Sequence, residues 1–173
     1  ATRNLPLHYL IRRAALVTAD GQGVLLAGRI LGTPFPARVT GIDLAEALCR
    51  ESAERNISLY FLGAEPGVVD EAAAKMRQAY PGVKIVGTHH GYFRNEGPAE
   101  VLADIMRTRP DVLLVGMGSP YQEEFINEFL AKVGVPVGIG VGGSFDVLSG
   151  RVERAPEIFI RLRLEWLYRI ASD

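Results

Sequence analysis

The chain has 173 residues, of which 48% are hydrophobic and 23% are charged, and its formal net charge is -1. This much apolar material supports one substantial core and excludes a disordered chain. The near-zero charge creates no overall field that attracts nucleic acid, so an anionic substrate has to be held by a local cluster of groups.

Cysteine content and hydropathy bound the setting of the protein. The single cysteine, Cys49, cannot form an internal disulfide and is predicted to be a small packing residue on a helix, which favours a reducing, cytosolic setting. No apolar run approaches the roughly 20 residues that cross a bilayer, so a soluble or peripheral protein is expected. The first four residues resemble the interior of a longer sequence, and flanking segments are expected.

Short apolar runs alternate with longer amphipathic runs, the pattern of strands and crossover helices in a parallel sheet. The predicted strands are Ala14 to Thr18, Ser58 to Leu62, Val83 to Gly87, Asp111 to Met117 and Val135 to Val141. The predicted helices are Gln22 to Leu31, Asp43 to Arg55, Val68 to Tyr80, Ala99 to Thr108, Tyr121 to Val133, Ser144 to Ser149 and Pro156 to Ile170. The sequence therefore predicts an α/β fold: a single Rossmann-like domain over residues 1–173, with a mainly parallel sheet and helices on both faces.

Ligands of such folds bind at the carboxyl ends of the strands, where loops enter helices. Small residues at these ends would let the backbone approach a nucleotide closely, although a plain turn explains each loop equally well. The positions concerned are Gly63, Gly116, Gly118, Ser119, Gly142, Gly143 and Ser144. The sequence contains neither a dinucleotide fingerprint nor a P-loop, which disfavours a nicotinamide-dependent oxidoreductase and a P-loop enzyme.

Asp20 follows the first predicted strand and precedes Gly21. A carboxylate at a sheet edge could accept a proton from an attacking hydroxyl, which is the role of a general base in sugar transfer. The alternative is an N-cap of the helix that begins near Gln22, and the pattern alone favours this capping role.

Two further polar residues have two interpretations each. Arg38, on a proline-rich loop, could bind a diphosphate through its guanidinium or lie in solvent on the surface. Gln122 could bind a sugar hydroxyl or be an ordinary half-exposed helical glutamine. The adjacent Glu123 and Glu124 suit the helix dipole, and Thr40 is a natural N-cap.

The histidines do not indicate a metal site. His89 and His90 end a predicted strand, and the only other histidine is His8, so neither a metal nor another cofactor is expected. The last predicted helix mixes apolar side chains with arginines and is expected to pack on the domain or on a second copy, with a membrane-facing role as the alternative.

Seven blocks in order along the chain together resemble the WecG/TagA/CpsF family of bacterial glycosyltransferases. They are Thr18 to Val24, Arg38 to Leu44, Gly87 to Phe93, Val115 to Glu123, Gly140 to Val147, Arg154 to Pro156 and Leu164 to Arg169. The resemblance implies an inverting, metal-independent transferase that builds cell-surface polymers such as wall teichoic acid. The donor would be UDP-N-acetylmannosamine or its uronic acid, and the acceptor would be GlcNAc on undecaprenyl diphosphate at the inner face of the membrane.

The resemblance also assigns residues. Asp20 matches the proposed catalytic base, Arg38 the residue near the diphosphate and Gln122 an active-site amide, while Thr2 and Asn4 match positions near the acceptor sugar. The stretch from Asn4 to Asp20 is shorter than the family pattern, and the chain ends where family members continue into a basic tail that is expected to meet the membrane. The alternative function is a non-catalytic regulatory or scaffold domain that binds a UDP-sugar.

Overall fold

The computed structural model describes residues 7–93 and 95–153. The helices are α1 (Leu7–Arg13), α2 (Gln22–Ile30), α3 (Gly41–Arg55), α4 (Val68–Ala79), α5 (Ala99–Thr108), α6 (Tyr121–Phe129) and α7 (Ser144–Leu148). The strands are β1 (Ser58–Gly63), β2 (Lys84–His89), β3 (Val112–Gly116) and β4 (Val137–Gly140). The predicted helix from Pro156 to Ile170 lies outside the described residues.

The four strands form one parallel sheet in the order β2-β1-β3-β4. The fold is therefore α/β with a Rossmann-like arrangement, as predicted. The central pair is in register from Leu59 opposite Val112 to Gly63 opposite Gly116. Side chains in both central strands are almost entirely buried, which explains why their sequences lack polar alternation.

Alternate residues of the central strands pack on opposite helical layers. Leu59 and Phe61 enter a cluster with α3, α4 and α7, whereas Tyr60 and Leu62 enter a cluster with α5 and α6. Cys49 lies fully buried in the first cluster, and burial, followed by the charge of Glu46, raises its thiol pKa to about 12. The predicted packing role of this cysteine is confirmed.

Helix ends follow local chemistry. The hydroxyl oxygen of Thr40 accepts a hydrogen bond of 3.0 Å from the backbone N–H of Asp43, so Thr40 is the N-cap of α3, as predicted. Strand β4 begins at Val137 rather than at Val135, because Pro136 has no N–H to donate to a neighbouring strand.

Two expectations about the N-terminal part are wrong. Residues 14–18 form bends and extended chain rather than a strand, because no described strand lies beside them and Leu16 is 80% exposed. An apolar run alone does not show whether a partner strand exists. Helix α1, which packs against α6 through a segment containing buried Leu10, was not predicted.

Candidate functional site

The carboxyl ends of β1 and β3 form the topological switch point of the sheet. Helix α4 follows β1 onto one face and α6 follows β3 onto the other, so the two outgoing loops diverge from adjacent strands. Open α/β sheets bind ligands at such a point. The predicted location of the site therefore agrees with the topology.

Gly63 and Gly116 stand at this point in close backbone contact. A Cβ on Gly63 would lie 2.3 Å from the carbonyl oxygen of Gly116, and Gly63 has a φ of +141°. A Cβ on Gly116 would lie 2.6 Å from the ring of Phe145 and 2.8 Å from the carbonyl oxygen of Gly142. Internal packing thus requires these two glycines, whether or not a ligand contacts them.

Gly118, Gly142 and Gly143 differ, because they border open space. Nothing lies within 4 Å of a Cβ built on Gly118 or Gly142, and their φ angles are +73° and +55°. The nearest atom to a Cβ on Gly143 is a carboxylate oxygen of Asp146, at 3.6 Å. A ligand could approach the backbone at these three positions.

The backbone donors at these loops divide into two groups. The N–H of Gly142 donates to Oε1 of Gln122, and the N–H of Ser144 donates to the carbonyl of Val141. Within residues 7–93 and 95–153, no acceptor bonds the N–H of Gly118, Ser119 or Gly143. Those three donors are therefore open to an anionic ligand, whereas Gly142 and Ser144 contribute shape rather than donors.

Gln122 joins two loops of the site. Only 8% of the residue is exposed, its Oε1 accepts the Gly142 N–H at 2.9 Å, and its Nε2 donates to Oε1 of Glu123 at 2.8 Å. The amide lies directly over Gly140, where a Cβ would come within 2.7 Å of Nε2. Gln122 is thus a buried link between α6 and the β4–α7 loop, and not a half-exposed surface residue.

Glu123 has a role that the sequence did not reveal. One of its carboxylate oxygens accepts from Gln122, and the other, Oε2, is buried without a hydrogen-bond partner in the described part of the chain. The helix-dipole explanation fits any acidic residue in a first turn, so the pattern contained no signal for this contact.

Asp20 and Arg38 lie together at the surface. The Nε of Arg38 donates to the backbone oxygen of Asp20 at 2.7 Å, and a terminal guanidinium nitrogen lies 3.4 Å from its Oδ1. The Asp20 side chain is 57% exposed, compared with 23% for Arg38. Gly21 is the N-cap of α2 and Asp20 makes no capping bond there, so the capping interpretation of Asp20 is wrong.

Backbone contacts connect this pair to the carboxyl end of β4. The N–H of Val39 donates to the carbonyl of Ala19 at 3.1 Å, which joins the two segments that hold Asp20 and Arg38. Two residues further on, Gly41 abuts the β4–α7 loop, where a Cβ would lie 2.7 Å from the carbonyl oxygen of Val141. Asp20, Arg38, the β4–α7 loop and Gln122 are therefore linked by consecutive contacts.

Ser144 and Ser119 have different environments. The Ser144 hydroxyl is buried and donates to the carbonyl of Val141, while Ser119 is exposed. The substrate-binding role predicted for them stays a prediction, as do the roles of the glycines. Thr2 and Asn4 lie outside the described residues.

The histidine pair lies beside the switch point and is occupied by local contacts. The Nδ1 of His89 is 2.8 Å from the carbonyl oxygen of His90, and the His89 ring meets Phe93 edge-on. The N–H of Gly91 donates to the carbonyl of Ala64 in the loop after β1. In the described ranges, no three His, Cys, Asp or Glu side chains group as metal ligands.

Comparison with known proteins identifies the family. The model of the glycosyl transferase WecG/TagA/CpsF family matches residues 1–173. The chain belongs to this family. The blocks of the WecG/TagA/CpsF pattern therefore lie on a real family member, and Asp20, Arg38 and Gln122 occupy three of them.

Curated relatives in this WecG/TagA/CpsF family carry one enzyme name, N-acetylglucosaminyldiphosphoundecaprenol N-acetyl-beta-D-mannosaminyltransferase. The protein from Bacillus spizizenii is 34% identical over 173 residues, which is 100% of this chain and 66% of the relative. The Bacillus subtilis protein is 36% identical over 89% of this chain and 59% of its own length. The Staphylococcus aureus protein is 37% identical over 95% of this chain and 64% of its own length. The chain thus spans somewhat less than two thirds of these relatives.

Proposed function

We propose that this chain is the catalytic part of a glycosyltransferase that moves N-acetylmannosamine, or its uronic acid, from a UDP donor to GlcNAc on undecaprenyl diphosphate. The acceptor and the transferred N-acetylmannosamine are those named in the relatives, and family membership supports transfer of a sugar. The product would enter a cell-surface polymer of the wall teichoic acid type.

The observation that carries the proposal is the exposed carboxylate of Asp20. It neither caps a helix nor lies in the core, and consecutive contacts through Arg38 and α3 link it to the loops at the carboxyl ends of the strands. A general base needs this combination of solvent access and closeness to the ligand site.

The proposed reaction is a single displacement with inversion. The acceptor hydroxyl attacks the anomeric carbon from the face opposite UDP, Asp20 takes the hydroxyl proton, and the bond to UDP breaks as the new glycosidic bond forms. The open N–H groups of Gly118, Ser119 and Gly143 are suited to bind the departing diphosphate, and Arg38 adds a positive charge near the base.

Asp20→Asn tests the proposal, because it removes the basic oxygen and keeps the size of the side chain. Loss of general-base catalysis should lower the rate by about 10²- to 10⁴-fold. Product is measured with a UDP-N-acetylhexosamine donor and a soluble diphospholipid analogue, and UDP binding is measured by calorimetry. Glu54→Gln, an equal change of charge on exposed α3, is the matched control and should leave the rate unchanged.

The outcomes separate the two candidate functions. A wild-type chain that binds UDP but forms no product would favour a non-catalytic UDP-sugar-binding domain. Full activity in the Asp20→Asn variant would remove this residue from the mechanism. Wild-type protein without measurable UDP affinity would contradict both functions.

The proposed location is the inner face of the membrane, with peripheral attachment, because the acceptor named in the relatives is a lipid. Among the described helices none is long and apolar enough to cross a bilayer. Nucleic acid is not a proposed partner, and self-association stays open.

A further inference from the structure

Helix α2 and the chain before it present apolar side chains to solvent. Ile30 and Leu31 are 75% and 76% exposed, comparable with Leu16 in the segment that leads to the helix. The exposed apolar residues of this region, called the α2 surface below, are Leu16, Val17, Val24, Leu26, Ile30 and Leu31. A contiguous stretch of this kind is unusual on a monomeric protein and marks an interaction site.

Helix α2 makes no extensive contact with another described helix or strand. Its closest neighbour is the turn that follows it, where Gly28 lies against the ring of Phe35 and the carbonyl of Thr33. The helix therefore stands on its own turn, and its apolar residues do not contribute to either core cluster.

Charge indicates what covers the α2 surface. Residues 7–38 contain four arginines and one aspartate, a local charge of +3 on a chain whose net charge is -1. Asp20 pairs with Arg38, which leaves Arg12, Arg13 and Arg29 as the uncompensated charges of this region. A second copy of the chain would bring the same arginines together across a twofold axis, whereas an anionic bilayer attracts them.

We infer that the α2 surface docks on an anionic lipid bilayer. The apolar side chains enter the boundary between headgroups and acyl chains, and the flanking arginines stay among the headgroups. This inference deepens the proposed function and rests on it for its meaning, since Asp20 lies between Leu16–Val17 and α2. Docking would hold the base at the level where a lipid-linked acceptor leaves the membrane.

Vesicle sedimentation with the 173-residue chain tests the inference. Wild-type protein should bind phosphatidylcholine vesicles that contain phosphatidylglycerol, and should bind pure phosphatidylcholine vesicles far less, by roughly fivefold for each arginine that meets the surface. The triple variant Leu26→Ser, Ile30→Ser, Leu31→Ser should lose at least about tenfold in binding, and Ile30→Ser alone should lose part of it.

The matched control is Met106→Ser with Val137→Ser, because these side chains are also about half exposed but lie on α5 and at the start of β4. This variant should bind vesicles as wild-type protein does. Equal vesicle binding by the triple variant and the control would overturn the inference, as would wild-type protein that ignores anionic vesicles. A wild-type dimer that the triple variant splits in sedimentation velocity, with vesicle binding unchanged, would assign the surface to self-association instead.

Calorimetry with UDP on the same proteins keeps the two proposals apart. The triple variant should bind UDP like wild-type protein, which also shows that it is folded. Loss of vesicle binding with intact UDP binding supports the inference. Wild-type protein that binds vesicles through the α2 surface but not UDP would contradict the proposed function and leave the docking surface standing.

Discussion

Replacing Gln122 by alanine should destabilise the protein and loosen the β4–α7 loop. The change leaves the buried N–H of Gly142 without its acceptor, which costs about 1–3 kcal/mol for an unsatisfied group. It also removes the side chain that lies over Gly140, and the lost packing adds roughly 1 kcal/mol. The expected total is about 3 kcal/mol, or roughly 6–12 °C in Tm for a domain of this size.

Chemical and thermal denaturation measure the loss of stability, and calorimetry measures UDP binding. The control is Gln78→Ala, which makes the same substitution on the exposed side of α4 and should change the free energy of unfolding by less than about 0.5 kcal/mol. The variant Gln122→Glu keeps an acceptor for Gly142 but sets two carboxylates side by side, and should fall between wild-type protein and Gln122→Ala. A Gln122→Ala protein as stable as the control would refute the view that this amide holds the loop.

Two further predictions concern the sheet. Gly63→Ala should destabilise by about 3 kcal/mol or more, because overpacking adds to the strain at positive φ; Gly134→Ala, at φ +71° with open space, should show only the strain, about 1 kcal/mol. Similar urea midpoints for the two variants would contradict the close-contact explanation. Hydrogen bonds from the Ser58 hydroxyl and then its backbone N–H lower the pKa of Asp111, so this carboxylate stabilises the fold above its ordinary pKa of 3.8 and loses that effect as pH falls through its lower folded value. Asp111→Asn should therefore weaken the acid dependence of unfolding measured below that pH, and an unchanged acid slope would speak against this linkage.

The buried strands could be predicted because their residues carry the signal themselves. A run such as Val112 to Val115 has to be covered on both faces, and Thr40 caps α3 by a contact only three residues long. The N-terminal segment shows the limit of this approach. Leu16 and Val17 resemble a strand in composition, but strand formation depends on a neighbour that local sequence does not specify.

The site was predicted in part. The switch point and its glycines follow from the order of the elements, but the partners of individual side chains do not. Arg38 meets Asp20 across 18 positions, and Gln122 meets Gly142 across 20. Contacts at such separations arise from the folded topology, so pattern alone favoured capping for Asp20 and left Gln122 as one of many helical glutamines.

The close contact among Gly63, Gly116 and Gly142 means that the floor of the crevice consists of main chain. Peptide groups keep their dipoles whatever side chains evolve nearby, so the floor offers the same polar surface in any variant that still folds. Preference between related donor sugars would then have to come from the rim, where Asp20, Arg38 and the loop at Gly118 bring variable chemistry to an invariant base.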